Sequence, residues 1–189
     1  MNNWWLYIKF LLNSTNHHGV HSPFVFALVT KCFYNNKNLN IYKKLQSDVS
    51  AFKNVKFLYR FSNYFEFDCI YQPVELNSDY KSALAIGRQS KVIKTYTRKI
   101  PKINNYDKNL LIYFQNRSLE HLSEIQNILE QCNTNSIVLI ENIRQTSKGF
   151  EQWNALKSNA NVRVSIDTYH WGVLWFRKEQ HKEHFIIRL

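Results

Sequence analysis

The sequence predicts an α/β domain in which a mostly parallel sheet ends in an antiparallel hairpin. Three observations carry this. From Cys69 onward, short apolar or β-branched runs alternate with amphipathic helical segments. Alternation of this kind gives a parallel sheet covered on both faces, with right-handed crossovers. The last two runs, 162–166 and 173–176, are joined by a turn containing Gly172 that is too short for anything but antiparallel pairing.

Each element has its own justification. The apolar stretch 3–12 reads as a helix with so little polar face that it should pack on two sides, against the core or, through Trp4 and Trp5, at an interface with a partner subunit or the membrane surface. It is far shorter than a membrane span. Ser22-Pro23 ahead of Phe24-Val25-Phe26-Ala27-Leu28-Val29 gives an N-cap serine, a proline at the first helical position and an apolar helix. His17, His18 and His21 precede it, and read as a structural or capping group rather than a metal site. Residues 39–65 carry apolar positions at a three-or-four spacing and predict one long or broken helix.

After that the period changes. Cys69-Ile70-Tyr71, a helix beginning at Asn77 or Ser78, and Val92-Ile93-Lys94-Thr95-Tyr96 form a strand, helix, strand unit. Leu110-Leu111-Ile112-Tyr113-Phe114 is a buried strand, Ser118 caps a helix with Leu122, Ile125 and Leu129 on one face, and Ile137-Val138-Leu139-Ile140 is a central strand. A helix around Trp153 leads to the hairpin, and Phe185-Ile186-Ile187 adds a last short strand. We therefore expect a helical extension over 1–66 packed on an α/β domain over 67–189.

The totals bound the function. With 189 residues, 44% of them hydrophobic and 15% aromatic, the chain is long and apolar enough for a packed globule. Cys32, Cys69 and Cys132 are too far apart for a zinc spacing or a disulfide framework, which fits a reducing, cytoplasmic setting. A net charge of +11 raises the question of phosphate-rich partners. Lys94, Arg98, Lys99 and Lys102 are the nearest thing to a basic cluster, with Tyr96 as the one stacking candidate beside them. No nucleophile-elbow glycines surround Ser147 or Ser165, and His170, His181 and His184 have no evident acid-base partner, although His181 and His184 would share a helical face.

The stretch 165–180, from Ser165-Ile166-Asp167 through Gly172-Val173-Leu174-Trp175-Phe176-Arg177-Lys178-Glu179-Gln180, and the early His18-Gly19-Val20-His21-Ser22-Pro23-Phe24-Val25-Phe26 resemble a bacterial family of class I S-adenosylmethionine-dependent methyltransferases. The likeness covers 4–33 and 109–189, and the middle by element order. It implies a Rossmann-like methyltransferase sheet, mostly parallel with a C-terminal antiparallel hairpin, and shortened here because only a short Pro101-containing connection stands where the third βα unit belongs.

The resemblance also places the family's cofactor site on this sequence. Its glycine-rich turn falls on 71–79, where Gln72, Pro73, Glu75 and Asn77 stand and no glycine does. Its ribose-binding acid falls after Tyr96, where Thr97-Arg98 offers no carboxylate. Its aspartate after the fourth strand is replaced around Gln115, and its acidic pair after the fifth becomes Glu141-Asn142, the weak candidates for a divalent cation. The expectation is a methyltransferase-like protein that has lost adenosylmethionine binding, needs no cofactor and serves a binding or assembly role, with a protein partner or a second copy on Trp4 and Trp5. The alternatives are an active methyltransferase with an atypical site and Glu141 as its base, or a basic nucleic-acid-binding protein.

Overall fold

The computed structural model describes residues 3–35, 49–85, 92–97, 99–103, 109–115 and 122–189. The helices are α1 (Asn3–Asn13), α2 (Pro23–Leu28), α3 (Val49–Phe65), α4 (Ser78–Ala85), α5 (Leu122–Gln131) and α6 (Ser147–Ser158). A 3₁₀ turn (His17–Gly19) precedes α2, and a π-helical stretch (Val29–Phe33) follows it. The strands are β1 (Cys69–Pro73), β2 (Val92–Tyr96), β3 (Leu110–Phe114), β4 (Ile137–Glu141), β5 (Val164–Asp167), β6 (Trp171–Trp175) and β7 (Glu183–Ile186).

They form one sheet in the order β2-β1-β3-β4-β6-β5-β7. β1 runs parallel to β2 and β3, and β3 to β4. β6 lies antiparallel between β4 and β5, and β7 pairs parallel with β5. The expected sheet with its closing hairpin is therefore present, and no strand pairs beyond β2 among the described residues.

Strand alternation divides the core into two layers. Ile70, Leu111, Tyr113, Leu139 and Val173 pack with Val25, Leu28, Val55, Phe61 and Leu84 of α2, α3 and α4. Tyr71, Ile112, Val138, Ile140 and Leu174 face Ile125, Leu129, Trp153 and Leu156 of α5 and α6. Ser22 caps α2 through the Val25 N–H, with Pro23 in the first turn, as the sequence predicts. Thr15 pairs with Ile187 and accepts from the Arg188 N–H at 3.1 Å, so the segment after α1 is sewn to the end of the chain.

Two expectations are corrected. Gly172 lies inside β6, paired with Ile140 and Asp167, and the turn is Thr168–His170 with Tyr169 at φ 76°. The glycine is required by packing, since a Cβ there would stand 2.7 Å from the Trp153 ring and 2.9 Å from Ile143. On α1, Phe10 is buried against the body, while Trp4 and Trp5, each 65% exposed, stand outside the core, as the interface branch of the reading of 3–12 requires. His184 lies in β7, so it shares no helical face with His181. The long helix is described only over Val49–Phe65, and 39–48 and the Ser118 cap lie outside the described residues.

Candidate functional site

In an open α/β sheet the ligand crevice lies outside the carboxyl ends of the strands, where the chain reverses its direction of travel across the sheet. Here that point falls between β1 and β3, because β2 is laid on one side of β1 and β3 on the other. The β1–β3 register ends at Tyr71–Ile112, whereas β1–β2 continues to Pro73–Tyr96. The two central strands therefore part before β1 ends.

Tyr96 occupies the parting. It is buried at the end of β2, and its hydroxyl crosses β1 to donate to the Tyr113 carbonyl of β3 at 2.7 Å. The phenol thus supplies a backbone acceptor with a donor at a place where the sheet ladder has stopped. Its ring packs beside Phe114, with centroids 6.0 Å apart. This corrects its reading as a base-stacking residue, which needs an exposed ring. Lys94, from the same supposed basic patch, turns inward to donate to the Tyr71 hydroxyl at 3.0 Å, and Arg98 lies outside the described residues.

The α3–α4 face of the same edge holds Glu141, the last residue of β4. Alternation from Ile137 and Leu139 points it under the helices, where it is 6% exposed. Tyr80 of α4 donates to Oε1 at 3.0 Å and Tyr113 donates to Oε2 at 2.8 Å. Asn54 of α3 donates in turn to the Tyr80 hydroxyl at 3.1 Å. Burial pushes the Glu141 carboxyl above its ordinary range, and hydrogen bonds from Tyr113, Tyr80 and Gln115 pull it back. Both phenols are raised, first by burial and then by the neighbouring carboxylate.

The other residues placed by the resemblance scatter. Pro73 and Gln72 are buried at the end of β1, and the Gln72 Oε1 finds no partner among the described residues. Leu76 of the loop is buried in the core beside α4, while Glu75 and Asn77 are exposed. Asn77 accepts from the Asp79 N–H at 2.7 Å and so shapes the entry to α4. Asn142 follows Glu141 at φ 53°. No group of three or more metal-ligating side chains occurs among the described residues.

A second buried constellation lies beyond β4 and β5. Arg144 binds Asp167 through both guanidinium nitrogens, each at 2.6 Å, with both side chains nearly inaccessible. Its guanidinium also donates to the Tyr169 carbonyl at 3.1 Å and lies over the rings of Phe150, Tyr169 and Phe10 at 4.4, 5.1 and 5.3 Å. Phe10 belongs to α1, so this box ties the first helix to the hairpin turn. A cavity of about 160 Å³, lined by Phe24, Phe65, Phe67, Asn109, Trp175 and Arg177 among others, opens at the opposite edge, beside the residues that lead into β1 and β3.

Sequence reasoning found Glu141 and missed the residues that surround it. Tyr80 and Tyr113 read as ordinary positions of a helix and a strand, and Tyr96 as an exposed stacking residue. Asp167 and Arg144 each end or follow a strand, which is the available signal for a polar pair at the carboxyl edge.

An open, mostly parallel sheet with helices on both faces and a reversal of strand order at its centre defines a Rossmann-like α/β protein. No family model matches the chain, and no curated protein matches it. Among solved structures, the cofactor-bound Rv0187 from MTB aligns over 91% of this chain and 97% of its own, at 8% identity and a TM-score of 0.49.

Proposed function

We propose that this chain is a methyltransferase-like protein that no longer binds adenosylmethionine and serves a binding or assembly role. The observation that carries the reading is the Tyr96 hydroxyl on the Tyr113 carbonyl, which fills the parting of β1 and β3 with a side chain of the protein itself. The remaining residues fit the cofactor poorly. The loop after β1 places Leu76 in the core where a close backbone approach would be needed, and Pro73 supplies no N–H. Glu141 is a poor general base, since it is closed off from any substrate and both of its oxygens already accept hydrogen bonds from the Tyr80 and Tyr113 hydroxyls.

Calorimetric titration of the full chain with adenosylmethionine and with adenosylhomocysteine tests the reading. The expected result is no heat of binding at micromolar ligand. Micromolar binding of either compound overturns it and restores the enzyme.

A further inference from the structure

We infer that the solvent face of α1 is a docking surface for an anionic phospholipid membrane. Trp4, Ile8 and Leu12 recur every fourth residue and so lie along one line of the helix, with Trp5 beside them. Trp4 and Trp5 are each 65% exposed and Leu12 is 82% exposed. The opposite face is already used. Phe10 and Tyr7 pack on Tyr169, with ring centroids 5.3 and 5.0 Å apart, and Phe10 also lies under the Arg144 guanidinium. The helix is thus held to the body by one side and presents two indoles and a leucine on the other. An apolar patch of that kind on a charged protein marks an interaction surface.

Charge selects the occupant. No Asp or Glu precedes Asp48 in the sequence, whereas Lys9, Lys31, Lys37, Lys43 and Lys44 do, and the whole chain carries +11. Lys9 is exposed on α1 itself, at the margin of the stripe. A second copy would bring two strongly basic molecules together, Lys9 facing the partner's α1, while an anionic leaflet attracts such a chain. Tryptophan is also the side chain that settles at the headgroup level of a bilayer. An 11-residue helix spans about 16 Å, roughly half of a hydrocarbon core, so α1 lies in the membrane plane and does not cross it. The described residues contain no helix long and apolar enough to cross a membrane. Because the basic residues are scattered, binding needs the indoles and the charge together.

The test mixes the full chain with vesicles of phosphatidylcholine alone and of phosphatidylcholine with phosphatidylglycerol. It follows co-sedimentation and tryptophan emission. Trp153, Trp171 and Trp175 are at most 3% exposed, so a blue shift on binding reports Trp4 and Trp5. We expect binding and a blue shift with the anionic vesicles, weakened by salt. A Trp4→Ala/Trp5→Ala variant, whose exposed positions leave the core intact, should lose the shift and bind at least about tenfold more weakly. Three results overturn the inference: no co-sedimentation with anionic vesicles at low salt, binding unchanged in the double variant, or a lipid-free dimer that the double variant abolishes. Nucleoside binding is read separately, so the failure of either proposal is distinguishable from that of the other.

Discussion

Tyr80 and Glu141, 61 residues apart, are joined by a 3.0 Å hydrogen bond that carries α4 across the end of β3 to β4. With Tyr113 on the second carboxylate oxygen and Asn54 behind Tyr80, one acid links two helices and two strands. Removing a single donor leaves a buried carboxylate oxygen short of a partner, and that costs more than the hydrogen bond itself. We expect Tyr113→Phe and Tyr80→Phe each to lower stability by about 1–3 kcal/mol in urea unfolding. Each loss should shrink in a Glu141→Gln background, because the groups share one network.

The same carboxylate sets a pH dependence. Its folded-state pKa is raised chiefly by burial, so the folded protein holds this proton more tightly than the unfolded chain does. The contribution of Glu141 is therefore fully favourable below its ordinary value of 4.5, and is lost as pH rises from there through the raised folded value. Glu141→Gln has no such proton to lose. The difference in Tm, wild type minus variant, should fall as pH is raised from below 4.5 toward neutrality. A difference that stays flat or rises across that range contradicts the assignment.

Arg144 and Asp167 form a pair that is buried, bidentate and walled by three aromatic rings. Breaking such a pair strands a charge, at a cost of about 3–5 kcal/mol. Asp167→Asn and Arg144→Met should each fall in that range by denaturant unfolding. The double variant Arg144→Met/Asp167→Leu should cost much less than the sum, because the buried charges disappear together. Arg144→Lys should behave like a loss, since an ammonium cannot reproduce the two-nitrogen fork.

The order of elements was legible because it depends on local periodicity. Ser22-Pro23, the apolar runs 110–114 and 137–140 of β3 and β4, and the close succession of β5 and β6 each announce themselves within a few residues. The site was not legible in this way. Tyr96 reaches a carbonyl 17 residues on, and Tyr113 reaches an acid 28 residues on, through registers that only the assembled sheet defines. The hairpin turn was misplaced for a related reason. A glycine between apolar runs reads as a turn, yet the turn here is held by Asp167, whose Oδ1 accepts from the Tyr169 N–H at 2.9 Å. Arg144 and the rings of Tyr7 and Phe10 then hold Tyr169 in its left-handed conformation. Likewise α1 looked apolar all round, and nothing local says that only the Phe10 side meets the body.

Gly172 then becomes a packing position with a measurable consequence. A methyl group there meets Cζ3 and Cε3 of Trp153 at 2.7 and 2.8 Å and Cγ2 of Ile143 at 2.9 Å, all in the fully buried layer under α6. These are closer than carbon atoms tolerate, and the Trp153 indole is too enclosed to swing away. Gly172→Ala should therefore destabilise by about 1–3 kcal/mol, the usual cost of overpacking. That runs against the small gain an alanine brings when it replaces glycine at an unstrained, unobstructed site. The clash falls on the six-membered part of the indole, so a smaller ring at 153 should relieve it. In a Trp153→Phe background, Gly172→Ala should cost markedly less than it does alone, read as a coupling energy from denaturant midpoints. An equal cost in both backgrounds would assign the penalty to the Ile143 contact or the β6 backbone and not to the contact with α6.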